Sequence, residues 1–216
     1  MTARSLSTSP SRKGFGVASI PTGLDTAAAG ALGLAGTAAL QSIEAVAPTA
    51  SDTVLISGAT GGVGALAVQL AVARGARVIA TVRLGEEADF VRDLGAAHTV
   101  DYTGDIAAQV RAISPQGVDA VIHPAGDGRA LADLLAPGGR FASPVGLGPD
   151  QLGRQDVQAT SVMATPTPEV LAHLAEEVVA GRLHVPIWRN YRLEEVAQAL
   201  ADFAAPHVGK LAVSIG

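Results

Sequence analysis

Gly58-Ala59-Thr60-Gly61-Gly62-Val63-Gly64 decides how this chain is read. An apolar run, Thr53-Val54-Leu55-Ile56-Ser57, precedes it and has the length and composition of a buried strand. Ala65-Leu66-Ala67-Val68-Gln69-Leu70-Ala71-Val72-Ala73-Arg74 follows and reads as a helix. Strand, glycine turn and helix in that order form the setting in which such a turn cradles a dinucleotide pyrophosphate. One glycine allows the sharp turn, one lets backbone approach the phosphates, and one lets helix and strand pack closely. The unpaired N–H groups at the helix start then face the anion, aided by the helix dipole. Glycines fall at Gly58, Gly61 and Gly64, which is GxxGxxG rather than strict GxGxxG. The competing reading is a glycine-rich turn of some other α/β protein.

Strand and helix patterns alternate on both sides of this stretch. Residues 21–46 read as a turn and then a helix, with Asp25 or Thr26 as its cap. Beyond the first strand, strands are expected at 77–81, 98–102, 118–123, 140–143 and 156–163. Helices are expected at 63–74, 86–94, 106–113 and 128–135, with Pro137-Gly138-Gly139 as a turn. Six alternating strands imply an α/β fold, a doubly wound parallel (Rossmann) sheet in the order 3-2-1-4-5-6. A short C-terminal α/β tail completes it: helices at 168–180 and 193–203, extended segments at 186–191 and 210–215. The domain reading is a disordered tail over 1–20, a linker helix over 21–50, the dinucleotide-binding domain over 51–166, and completing helices and strands over 167–216.

Composition narrows the function. Of 216 residues, 48% are hydrophobic and 16% charged, so the chain can build a core. Aromatics are 3%, which leaves that core to Ala, Val, Leu and Ile. A net charge of −5 gives no electrostatic case for nucleic acid or an anionic membrane. With no cysteine there is no disulfide, thiolate metal site or cysteine nucleophile; the expected compartment is the cytoplasm. The apolar stretch 27–40 is interrupted by Gly30, Gly33 and Gly36 and reads as too short to span a bilayer. Residues 1–15 carry Arg4, Arg12 and Lys13 and no acid, a composition shared by transit peptides and by plain disordered tails.

A carboxylate about 20 residues after the glycines would bind a ribose 2′-OH. Here that region reads Ala80-Thr81-Val82-Arg83, and Arg83 suits a 2′-phosphate instead. NADP(H) is therefore favoured over NAD(H). Among the histidines, His173 and Glu177 share a helix face but lack a third ligand, so no metal site is expected. His123 ends a central strand, where sites form in these sheets, and is the one candidate for proton donation. The alternative is a strand-end histidine held by backbone. No GxSxG elbow and no Tyr-x-x-x-Lys pair is present. Lys210 follows a turn glycine and is assigned a structural role.

These residues resemble a known family. The stretch from Val54 to Gly64, with Leu94-Gly95-Ala96-Ala97, Val100-Asp101-Tyr102, Gly117-Val118-Asp119-Ala120-Val121, Leu135-Ala136-Pro137-Gly138-Gly139-Arg140 and Gly209-Lys210-Leu211-Ala212-Val213, is similar to the cofactor half of medium-chain dehydrogenases/reductases. The zinc-free quinone oxidoreductase, or zeta-crystallin-like, branch is the nearest. The resemblance implies NADPH-dependent hydride transfer to a quinone, enone or related electrophilic carbonyl compound. It places Thr60, Gly61, Gly62 and Val63 against the pyrophosphate, Tyr102 by the adenosine, and Gly126, Ser143 and Gly146 near the nicotinamide ribose. It also implies a homodimer through the sixth strand, bounded by Asp156 and Met163. Three departures stand out. Glu87 occupies a position where the family often has lysine, and His123 one where it usually has Asp. The N-terminal GroES-like catalytic barrel has no counterpart beyond its final linker, so the edges at 186–191 and 210–215 are expected to be open and to pair with another chain. The alternative function is a non-catalytic NADP(H)-binding module, or a fragment, that needs a partner for the catalytic half.

Overall fold

The computed structural model describes residues 16–205 and 207–215. The expected tail over 1–20 lies largely outside them. From Gly16 onward the chain is held, because the Gly16 N–H donates to the Pro166 carbonyl at 2.9 Å.

A long helix α1 (Thr26–Val46) comes first, and the Asp25 carboxylate caps it by accepting from the N–H groups of Ala27 and Ala28. The alternation then runs β1 (Thr53–Ile56), α2 (Gly62–Ala73), β2 (Arg77–Val82), α3 (Glu86–Asp93), β3 (His98–Asp101) and α4 (Ile106–Ile113). It continues through β4 (Val118–Ile122), α5 (Gly128–Ala132), β5 (Leu135–Ser143), α6 (Pro149–Leu152) and β6 (Gln158–Ser161). The six strands are all parallel in the order β3-β2-β1-β4-β5-β6, the doubly wound arrangement.

Both faces of the sheet are covered, and side chains alternate between them as strand geometry requires. Val54, Ile56, Val78, Ala80, Ala120 and Ile122 point to the layer of α1, α2 and α3. Leu55, Ile79, Val100, Val121 and Phe141 point to the layer of α4, α5 and α6. Alone, α1 is long and apolar enough to cross a membrane, which corrects the expectation of a stretch too short to do so. In the fold it serves as a core helix: Ala39, Ile43 and Val46 are fully buried. Its C-terminal end is tied to the sheet by Arg140, which donates to the Val46 and Ala47 carbonyls and pairs with Asp52 at 3.0 Å.

Two features differ from expectation. The Pro137-Gly138-Gly139 segment is not a free turn but the early part of β5, whose register against β4 breaks between Val118 and Ala120. The tail contains α7 (Pro168–Val179), β7 (Ile187–Arg192), a 3-10 turn at Leu193–Glu195, α8 (Val196–Phe203) and β8 (Lys210–Ser214). β7 and β8 each keep one strand edge without a neighbour among the described residues. They pair with each other, in parallel, as a separate two-stranded sheet. Gly209, just before β8, bridges to Gly61 and so fastens this tail to the glycine turn.

Candidate functional site

The glycine turn works because of two backbone facts. Gly58 takes φ +57°, a left-handed conformation that costs an L-residue about 1–2 kcal/mol. Gly64 sits so close to the turn that a Cβ there would collide with the Gly58 carbonyl oxygen and lie 2.7 Å from the Ala59 Cα. Helix α2 can therefore start directly over β1. Its N-cap is Gly61, which has no side chain to occupy the N–H groups of the first turn. Those groups and the positive end of the helix dipole make the start of α2 a seat for an anion. Thr81, at the end of β2, fixes the turn by accepting the Gly58 N–H on Oγ1 at 3.1 Å.

Beside this turn lies a cleft of about 860 Å³. It opens at the carboxyl ends of β1 and β4, where strand order reverses and ligands of doubly wound sheets bind. Of the residues expected from sequence, Gly58, Thr60, Gly61, Gly62, Val63, Gly64, Tyr102 and Gly126 line it together. Thr81, Asp105, Pro124, Ala125 and Asp127 also line it and were not anticipated. Their signal was available, since each closely follows or ends a strand. The carboxylates of Asp105 and Asp127 are engaged as caps of α4 and α5.

Arg83, Ser143 and Gly146 are not among the residues lining the cleft. Arg83 lies just beyond β2, half exposed, with its guanidinium 3.4 Å from Glu87 Oε1. Tyr102 beside it, then Glu87, hold the guanidinium pKa above its ordinary value. Gly146 has φ +89° and is exposed on the loop after β5.

His123 and Ser143 are buried together beneath that loop. The His123 ring is 4% exposed and packs on Phe141. Its Nε2 lies 3.0 Å from the Gly126 carbonyl and its Nδ1 lies 3.1 Å from Ser143 Oγ. A carbonyl only accepts, so Nε2 carries the proton in the neutral ring and Nδ1 accepts from the Ser143 hydroxyl. Ser143 Oγ in turn accepts the Leu147 N–H at 3.2 Å. One imidazole thus ties the loop after β4 to the loop after β5, and both ring nitrogens are used in doing so. Among the described residues no group of three or more His, Asp or Glu side chains could hold a metal ion.

Comparison with known proteins agrees with this geometry. Residues 62–165 match the family model described as zinc-binding dehydrogenase. A mycocerosic acid synthase-like polyketide synthase of Mycolicibacterium smegmatis is 33% identical over 91% of this chain, which covers 10% of that protein. The solved quinone oxidoreductase from Coxiella burnetii superimposes with a TM-score of 0.81, at 29% identity over 91% of this chain and 63% of that one. A mycobacterial protein, Rv1454c, solved in complex with NADPH, superimposes with a TM-score of 0.78, at 28% identity over 90% of this chain and 66% of that one. The chain thus spans about a tenth of its curated relative and just under two thirds of these solved ones.

Proposed function

This chain belongs to the medium-chain dehydrogenase/reductase superfamily, as its nucleotide-binding part, and we propose that it binds NADP(H) for hydride transfer to a quinone, enone or related carbonyl compound. The observation that carries the reading is the cleft at the sheet's reversal point, floored by Gly58, Thr60, Gly61, Gly62, Val63 and Gly64. The start of α2 would hold the pyrophosphate through backbone N–H groups. Tyr102 would flank the adenosine, Arg83 would face the 2′-phosphate, and Gly126 would lie under the nicotinamide ribose. When bound, the nicotinamide supplies the hydride. His123 would act through position: by tying the loops that carry Gly126 and Gly146 it sets the shape of the cleft's inner end. Nothing in this chemistry calls for a metal, and the cysteine-free sequence suits a reducing cytoplasm.

A second reading is favoured by one observation. The histidine nearest the cleft has both nitrogens occupied, and the aspartates lining it serve as helix caps. On that reading the chain holds NADP(H) and another polypeptide brings the acceptor and its proton donor. Relatives that are very large polyketide synthases fit such an assembly. β6 is the outer strand of the main sheet and leaves one edge open for a second copy of the chain.

Fluorescence titration with NADPH and NADH in parallel tests the shared premise. Saturable binding, followed by NADPH oxidation with a quinone or enone, supports the first reading. Binding without turnover of any acceptor supports the second, and no binding of either cofactor defeats both.

A further inference from the structure

Lys210 opens β8, directly after the glycine that bridges to Gly61. Its side chain runs back along the first residue of α2. A Cβ added to Gly62 would lie 2.7 Å from Lys210 Cγ, 2.9 Å from Cδ and 3.0 Å from Nζ. The lysine stem therefore fills the space that a side chain at residue 62 would take, and its ammonium ends beside the N-terminus of α2. Backbone contacts hold the stem's base in place. The Gly209 N–H donates to the Thr60 carbonyl at 2.6 Å, and the Lys210 N–H donates to the Pro186 carbonyl at 2.8 Å.

This is a poor place for an unpaired cation. The positive end of the α2 dipole repels it. Among the described residues no carboxylate forms an ion pair with it, and the partly buried side chain leaves its ammonium to solvent. Burial alone acts on its pKa and lowers it below the ordinary lysine value. A cation pressed against a helix N-terminus without a counter-charge is an arrangement that an anion would resolve. Gly62, which the stem crosses, begins α2 and lines the cleft, while Lys210 itself stands just outside the lining residues.

We infer that Lys210 is a pyrophosphate-binding side chain, which reaches from the C-terminal strand over Gly62 to neutralise the bridging phosphates of the dinucleotide. The inference rests on the nucleotide-binding reading of the cleft and assigns one residue within it. It separates the two phosphate sites by chemistry. Lys210 faces the pyrophosphate, which NAD(H) and NADP(H) share, whereas Arg83 lies at the far end near the 2′-position. Loss of Lys210 weakens both cofactors alike, and loss of Arg83 weakens NADPH only.

The chain has only two lysines, Lys13 and Lys210, so amine labelling can be mapped without ambiguity. The unaltered protein is reductively methylated with and without saturating NADPH or NADH, and the ratio of Lys210 to Lys13 modification is read by peptide mass spectrometry. The expected result is at least fivefold protection of Lys210 by either cofactor. In parallel, Lys210→Met and Lys210→Arg are titrated with both cofactors. Lys210→Met should weaken each by about tenfold or more, as for one charge-assisted hydrogen bond, and Lys210→Arg should restore most of the loss. Unchanged labelling, or a folded Lys210→Met that binds both cofactors like the parent, overturns the inference while leaving the site reading intact. A parent protein that binds neither cofactor removes the premise and the inference with it. Should Lys210→Met fail to fold, the labelling of the unaltered protein decides.

Discussion

The backbone N–H of Arg83 donates to Glu87 Oε2 at 2.7 Å, while the guanidinium of the same arginine lies 3.4 Å from Glu87 Oε1. Glu87 thus competes with any phosphate for Arg83, and it shapes the turn between β2 and α3. Arg83→Ala should weaken NADPH about five- to tenfold and leave NADH unchanged, measured by titration. Glu87→Gln should strengthen NADPH a few-fold by releasing the guanidinium. Equal effects on both cofactors would place the 2′-phosphate elsewhere.

Gly64→Ala should abolish nucleotide binding. Its methyl would meet the Gly58 carbonyl and the Ala59 backbone, neither of which can yield without opening the turn. The expected loss of stability is about 1–3 kcal/mol by urea denaturation, the range for overpacking a filled site. Gly138, where a Cβ meets nothing within 4 Å but φ is +78°, offers a control in which backbone conformation alone is charged.

His123→Ala should lower stability by about 1–3 kcal/mol, because it orphans the Ser143 hydroxyl and empties a buried site. It should also weaken NADPH, since Gly126 lines the cleft and loses its tie. A double-mutant cycle with Ser143→Ala should give a coupling of about 1 kcal/mol. If His123 variants instead keep stability and binding but lose turnover, the imidazole donates protons rather than positions loops.

Acid stability should depend on Asp52. Burial pushes its carboxyl up, but the Thr49 N–H at 2.6 Å and the Arg140 guanidinium at 3.0 Å pull harder and leave it below the usual range. A folded pKa below the unfolded value stabilises the native state above about pH 4. That contribution is lost as pH falls through the unfolded and then the folded value. Asp52→Asn should lower the urea midpoint at pH 7 and flatten its fall between about pH 5 and 3. An unchanged pH profile would count against the clamp.

Local pattern carried much of the architecture. The strand order follows from alternation and crossover handedness, and α4 falls at 106–113 as its apolar spacing requires. Sequence was weaker where partners lie far apart along the chain. Pro137-Gly138-Gly139 has turn chemistry, yet β4 draws it into a broken ladder. The four-residue α6 is too short to show a period. The extended character of β7 and β8 was visible, but their mutual pairing was not. At the site the glycines were plain because the turn is local. The cap-engaged aspartates, the Ser143 partner of His123 and the Lys210 contact with Gly62 each join separate segments, and no spacing rule encodes them.

The bond from the Gly209 N–H to the Thr60 carbonyl sets an order of events during synthesis. Thr60 leaves the ribosome long before Gly209 does, so the nascent glycine turn lacks this brace until the residues before β8 emerge. Premature termination upstream of residue 209 would release a chain with every glycine of the turn in place but without this fastening.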